Sequence, residues 1–145
     1  MPATVSFAVI TPGEVKFEGM AEIVVAPGAS GDLGALPNHA PMLTTLRVGV
    51  VRATVVDGGG DEAKSATRRL EYAVDGGFMQ ILPDRVLVLT DRALAAADVD
   101  VEAARRDLHS AESDLAAKRG ADDAAERAAA AWARVRLEVA RSPAV

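Results

Sequence analysis

From Asp98 to Ser142 the chain carries no proline and one glycine, Gly120, while every other glycine and every proline but Pro143 lies before it. Proline lacks an N–H and locks φ, and glycine pays the largest entropy on ordering, so both interrupt regular structure. The chain is thereby divided into a punctuated first two-thirds and an uninterrupted tail of Ala, Arg and Glu, which are strong helix formers. In the tail, Val101, Ala104, Leu108, Ala111 and Leu115 recur at steps of three and four, and Ala125, Ala128, Trp132, Val135 and Val139 do the same. Each set predicts one narrow apolar stripe on a helix. Asp98, Asp100 and Glu102 suit the positive end of the first helix. Lys118-Arg119-Gly120 reads as its cationic end and glycine C-cap, and Asp123 with Glu126 reads as a capping box for the second. A short turn between two such helices makes them antiparallel neighbours. Alanine buries little area, at ~25 cal/mol per Å², so the pair is expected to be held loosely, with a docked and a detached state both open.

The punctuated part reads as strands. Val5, Phe7 and Val9 alternate with smaller or polar residues up to Pro12-Gly13. Short runs at Val15–Phe17 and Glu22–Val25 follow, then a Gly- and Pro-rich loop from Pro27 to Pro41, then a long β-branched run from Val48 to Val56. Arg69–Val74, Phe78–Leu82 and Val86–Thr90 complete the set, with Gly76-Gly77 and Pro83-Asp84 as tight turns and Asp57–Arg68 as an exposed hairpin tip. Aromatic residues make up 3% of the sequence, so the core must come from Val, Leu, Ile and Ala. Many short strands at this spacing predict a sandwich or barrel. The expected fold is a mainly β N-terminal sandwich or flattened barrel over residues 1–95, followed by a C-terminal antiparallel two-helix hairpin over 96–145.

Several chemistries are disfavoured. The formal net charge is −5, the wrong sign for a nucleic-acid partner. There is no cysteine, and His39 and His109 lie far apart, so no metal site is expected. No apolar run approaches the ~20 residues of a membrane span, and the start of the chain lacks a secretory pattern. A soluble, cytoplasmic protein follows, without direct lipid insertion. Gly58-Gly59-Gly60 and the Gly28, Gly31, Gly34 series precede no helix, so they read as turns and not as phosphate cradles. Ser6 has no nearby His. Asp32 and His39 lack the third group of a catalytic set. His109 falls off the helical stripe, at the surface; Trp132 falls on it, packed against the sandwich or the other helix. No catalytic residue is expected.

The stretch Pro27-Gly28-Ala29-Ser30-Gly31-Asp32-Leu33-Gly34-Ala35-Leu36-Pro37-Asn38-His39-Ala40-Pro41-Met42-Leu43 closely resembles the signature of the epsilon subunit of bacterial F-type ATP synthases. Leu46–Arg52, Val74-Asp75-Gly76-Gly77-Phe78 and Arg85–Asp91 resemble further segments of that family, in the same order. The resemblance implies a non-catalytic rotor subunit of the central stalk. It implies a sandwich that binds the gamma subunit and sits on the proteolipid ring, peripheral to the cytoplasmic face of the bacterial plasma membrane. By motif position, Asp32 matches the residue facing the ring, and Thr11, His39 and Thr44 match positions facing gamma. An extended hairpin would enter the alpha/beta catalytic head, with Arg127, Arg134, Arg136 and Arg141 meeting acidic surfaces, and would restrain ATP hydrolysis.

Some family members bind ATP through an Ile/Leu-Asp-x-x-Arg-Ala pattern. Here the matching residues are Val99-Asp100-Val101-Glu102-Ala103-Ala104. Asp100 is kept, but the Arg has become Ala103, which removes a phosphate-binding guanidinium. Arg105 or Arg106, and Arg136, are the remaining basic candidates of a nucleotide remnant, and no ATP or other cofactor is expected. A free-standing adaptor whose hairpin binds other helices, and a small nucleotide sensor, are the competing readings.

Overall fold

The computed structural model describes residues 3–57, 66–118 and 122–141. The expected hairpin tip around Gly58-Gly59-Gly60 and the Arg119-Gly120 cap lie outside the described residues. Strands run β1 Val5–Thr11, β2 Glu14–Gly28, β3 Gly31–Ala35, β4 Met42–Asp57, β5 Ala66–Leu82, β6 Arg85–Leu89 and β7 Ala93–Leu94. A 3₁₀ turn at Ala96–Asp98 leads into helices α1, Val101–Lys118, and α2, Ala124–Arg141.

Antiparallel pairs β1–β2, β2–β4, β4–β5 and β5–β6 follow one another, and β6 then lies parallel to β1, from Ser6 opposite Arg85 to Ile10 opposite Leu89. This last pairing closes a five-strand ring, so the sandwich is a flattened barrel. β3 folds back on the end of β2, and β7 pairs with β5 at Ala73 and Val74. The core holds the alternating residues of each strand: Val5, Phe7 and Val9; Val51, Ala53 and Val55; Met79 and Ile81; Val86 and Val88. Phe7 meets Phe17 with ring centroids 5.7 Å apart.

Two expectations are corrected. Gly76-Gly77 is not a turn between strands, because β5 runs through it with an unbroken register, Asp75 opposite Val48 and Gly77 opposite Leu46. Both glycines have positive φ, 74° and 114°. On either side of them the inward parity flips: Tyr72 and Val74 face the core before the pair, Met79 and Ile81 after it. The glycines therefore make a corner at which one strand passes from one layer to the other, as flattened barrels require. The second correction concerns Pro27–Pro41, which is not all loop. A two-residue turn at Ala29-Ser30 joins β2 to β3, and Asp32 stands on β3 opposite Pro27.

The two helices pack against each other, and α2 lies along the outer face of β4 and β5. Trp132, Val135 and Val139 cover Val50 and Ala73 there, with Val48, Leu94, Ala96 and Val99 at the margin. The stripe on α2 is broader than the expected one. Ala130, Ala133 and Leu137 are also buried, while Ala125 and Ala128 are exposed. A helix wedged between a sheet and a second helix needs two apolar stripes about 100° apart. On the α1 side, Ala104 and Ala111 are the buried residues.

Candidate docking surfaces

Among the described residues no group of three or more His, Asp or Glu is placed to hold a metal ion, and no helix is long and apolar enough to cross a membrane. The features that remain are surfaces. The outer side of the β6 region carries apolar side chains without a covering layer. Phe78 on β5 stands opposite Leu89 on β6, Leu89 opposite Ile10 on β1, and Ile10 opposite Val15 on β2. One apolar row thus crosses four strands. Phe78 is 51% exposed, Val15 52% and Leu89 42%; Leu43, two residues before the Phe78 partner Thr45, is 70% exposed. Beside the row, Ile10, Thr11, Pro12, Gly77, Phe78, Leu89, Thr90 and Asp91 line a hollow of about 340 Å³.

Thr11 is therefore on this face, its Oγ1 donating to Glu14 O at 3.2 Å across the β1–β2 turn. Thr44 pairs in register with buried Met79, so its side chain stands on the opposite side of β4 from Leu43 and Thr45. His39 belongs to the segment between β3 and β4, where His39 Nδ1 lies 2.6 Å from Ala40 O and His39 N donates to Leu36 O. Asn38, at φ 67°, donates its N–H to Pro83 O at 2.7 Å, which ties this segment to the β5–β6 turn. Val15, Leu43, Phe78 and Leu89 were absent from the sequence-derived candidates. The readable signal was the unbroken apolar run Val86-Leu87-Val88-Leu89, which marks a strand covered on both faces.

Asp32 projects from a separate, braced corner. Arg47 on β4 donates from Nη1 to Gly28 O at 2.6 Å and from Nη2 to Asp32 Oδ1. Ala29 N donates to Thr45 O at 3.0 Å, holding the same turn to β4. The Asp32–Arg47 pair is exposed on both sides, so it sets geometry and contributes only ~0–1 kcal/mol.

The three residues of the nucleotide pattern do not converge on an open pocket as free groups. Asp100 caps α1, its Oδ1 accepting from Ala103 N at 3.0 Å. Arg105 pairs with Glu102 at 2.9 Å. Arg136 pairs with Asp107 of α1 at 2.9 Å and donates to Trp132 O. At the other end of the helix pair, Glu126 meets Lys118 at 2.6 Å. The Lys118 hydrogen bond, helped by a backbone N–H, holds the Glu126 carboxyl below the usual range. Tyr72 behaves in the opposite sense: burial pushes its phenol up, and its OH donates to Lys16 O at 3.1 Å.

Residues 4–96 match the family model for the beta-sandwich domain of the ATP synthase delta/epsilon chain. The ATP synthase epsilon chain of Desulforamulus reducens is 42% identical over 89 residues, 61% of this chain and 60% of that one. The epsilon chain of Rhodospirillum rubrum is 39% identical over 89 residues, again 61% and 60%. The chain thus spans about 60% of the length of these curated relatives. A chain of the Euglena gracilis mitochondrial ATP synthase assembly of OSCP, F1 and c-ring superposes with a TM-score of 0.65 at 19% identity, covering 96% of this chain and 78% of that one. A chain of the Tetrahymena thermophila mitochondrial ATP synthase central stalk and c-ring superposes with a TM-score of 0.54 at 13% identity, covering 94% and 93%. These two share the fold. On its closed barrel and the match over residues 4–96, the chain belongs to the ATP synthase delta/epsilon family.

Proposed function

We propose that this chain is a non-catalytic rotor subunit of a proton-translocating ATP synthase, carried on the central stalk, with its barrel joining the gamma subunit to the proteolipid ring. The observation that carries this reading is the apolar row Val15–Ile10–Leu89–Phe78 on the outside of a closed barrel. A contiguous exposed apolar patch marks a protein contact, and an exposed aromatic residue on it is a suitable energetic anchor. Gamma is the occupant best suited to this row: Thr11 borders it, while Thr44 stands on the other side of β4 and His39 lies in the segment before that strand. Asp32, held out by Arg47, is the group directed at the ring. The subunit then stays peripheral to the cytoplasmic face of the bacterial membrane through its partners.

The test is co-purification with gamma and the ring. Phe78→Asp places a charge on the one aromatic residue of the row and should weaken gamma binding by at least ~30-fold, since anchor residues carry ~2 kcal/mol or more. Asp32→Lys should spare gamma binding and impair proton-driven synthesis. Wild-type pull-down with Phe78→Asp would refute this placement of gamma.

The hairpin is proposed as a brake on hydrolysis, acting when α2 leaves the barrel and its arginines meet the alpha/beta head. The polar edge supports a reversible attachment: Arg52 holds Glu71 of β5 at 2.9 Å and Glu138 of α2 at 3.0 Å, so its pairing with Glu71 survives on the barrel when α2 departs. Deletion from Asp98 onward should raise ATP hydrolysis by the assembled enzyme and leave synthesis intact. Equal hydrolysis before and after deletion would make the hairpin a passive element.

A further inference from the structure

The interface between α2 and the barrel is built from aliphatic side chains, Val48, Val50, Ala73, Leu94, Val135 and Val139, and one aromatic. Trp132 is 5% exposed and is the largest group in that cluster. Two guanidinium groups lie over its ring. Arg92 Cζ lies 4.6 Å from the ring centroid and Arg136 Cζ 5.6 Å. We propose that Trp132 is the latch that decides whether the helical hairpin lies on the barrel, and that Arg92 is the barrel's half of that latch.

The two arginines belong to different bodies. Arg136 stands one turn along α2 from Trp132, and is fixed within the hairpin by Trp132 O and by Asp107 of α1. It travels with the indole. Arg92 lies between β6 and β7 and is fixed to the barrel. Its Nε donates to Asp75 Oδ2 at 2.9 Å, and its carbonyl accepts from Asp75 N at 3.2 Å and from Thr90 Oγ1 at 3.3 Å. A continuous series therefore runs Asp75, Arg92, Trp132, Arg136, Asp107, from β5 through α2 to α1. When the hairpin lifts, the Asp75–Arg92 and Arg136–Asp107 pairs both persist. The stack of Arg92 on Trp132 is the link that breaks.

That placement separates the latch from the other ties. The Arg52–Glu138 pair also crosses the boundary, but Glu138 is well exposed, and such pairs contribute little and are screened by salt. The aliphatic contacts are non-directional and accept a sliding helix. A cation–π contact gains from a desolvated ring; Trp132 is buried, and the Arg92 guanidinium, though half-exposed, is already anchored to Asp75 and loses little freedom in making the contact. The stack thus fixes one seat for α2 on β4 and β5.

The inference deepens the brake reading, but its test is independent of it. Trp132 is the chain's only tryptophan, so indole emission and its collisional quenching by acrylamide report on the docked state in the isolated full-length chain. In wild type, quenching should be weak. Arg92→Ala should shift the docked-to-free ratio by about two- to fivefold, as a cation–π contact from a half-exposed guanidinium implies, and raise quenching accordingly, with cooperative melting of the barrel retained. Arg52→Ala should have a smaller effect. Trp132→Leu should increase hydrogen exchange along α2 while leaving β4 protected. Unchanged quenching in Arg92→Ala, or a larger effect from Arg52→Ala, would overturn the latch. Hydrolysis by the assembled enzyme is a separate readout: raised quenching with unchanged hydrolysis would retire the brake and keep the latch.

Discussion

The corner at Gly76-Gly77 allows a sharp test of how this barrel holds its shape, through Gly77→Ala. Two costs are visible. The φ of 114° lies where an L side chain is strained by ~1–3 kcal/mol. In addition, a Cβ at this position would fall on the carbonyl oxygen of Leu89, 3.0 Å from Thr90 Cα and 3.1 Å from Leu89 C. Backbone cannot yield as a flexible side-chain tip does, so β5 and β6 must part where Phe78 faces Leu89, and each broken ladder bond costs ~1 kcal/mol. The total is ~3 kcal/mol or more, which for a domain of this size lowers Tm by upwards of ~12 °C. Thermal unfolding followed by the strand signal in circular dichroism measures it. Two controls divide the cost. Gly31 has φ 140° with nothing within 4 Å, so Gly31→Ala carries the backbone strain alone, and Gly13, open and unstrained, should respond by less than ~0.5 kcal/mol. If Gly77→Ala melted within ~3 °C of wild type, or no lower than Gly31→Ala, the account of the corner would fail.

Three further outcomes are expected. The Tyr72 phenol is raised in the fold by burial, so the fold keeps its proton while the unfolded chain releases it; that stability is fully present below the ordinary value of ~10 and is lost as pH rises through the folded value, whereas Tyr72→Phe should flatten the alkaline limb of a urea-denaturation series. Asp100→Ala removes the cap on Ala103 N and should cost ~1 kcal/mol, seen as faster amide exchange in the first turn of α1 with the barrel unaffected. Arg47→Gln releases Asp32 and the Gly28 carbonyl together; it should reduce coupling to the ring in the manner of Asp32→Lys while leaving stability within ~1 kcal/mol of wild type, and wild-type coupling would show that Asp32 needs no brace.

What could be read from the residues alone follows the range of the forces involved. The barrel strands were legible because Val5, Phe7 and Val9, or Val51, Ala53 and Val55, alternate as a half-buried strand must. The two helices were legible because the periodicity of Val101 to Leu115 is local. The corner was not: a double glycine with positive φ serves a hairpin turn or a bend within one strand equally well, and only the partners Leu46 and Val48, some thirty residues away, decide. The second stripe of α2 was missed for a similar reason, since Ala130, Ala133 and Leu137 acquire meaning only when a second helix lies beside them. On the candidate surfaces, Phe78 reads from sequence as the start of a strand after a turn, and its place in an apolar row depends on its pairing with Leu89. Trp132 was seen as packed, while the guanidinium of Arg92, which reaches it from the far side of α1 in sequence, was invisible to any local pattern.

The parallel pairing of β1 with β6 sets a clock on how this protein is made. Ser6 waits for Arg85, and Ile10 for Leu89. At the ~5–20 residues per second of synthesis, the first strand is ready for several seconds before the strand that completes the ring has left the ribosome. Until then β1 has one antiparallel neighbour and one open edge, and its inward residues Val5, Phe7 and Val9 have no far wall. Closure is a long-range contact of the kind that slows folding to the millisecond-to-second range. The nascent chain is consequently most prone to misassociate during this interval, and the hairpin emerges only after the strands of the barrel on which it rests.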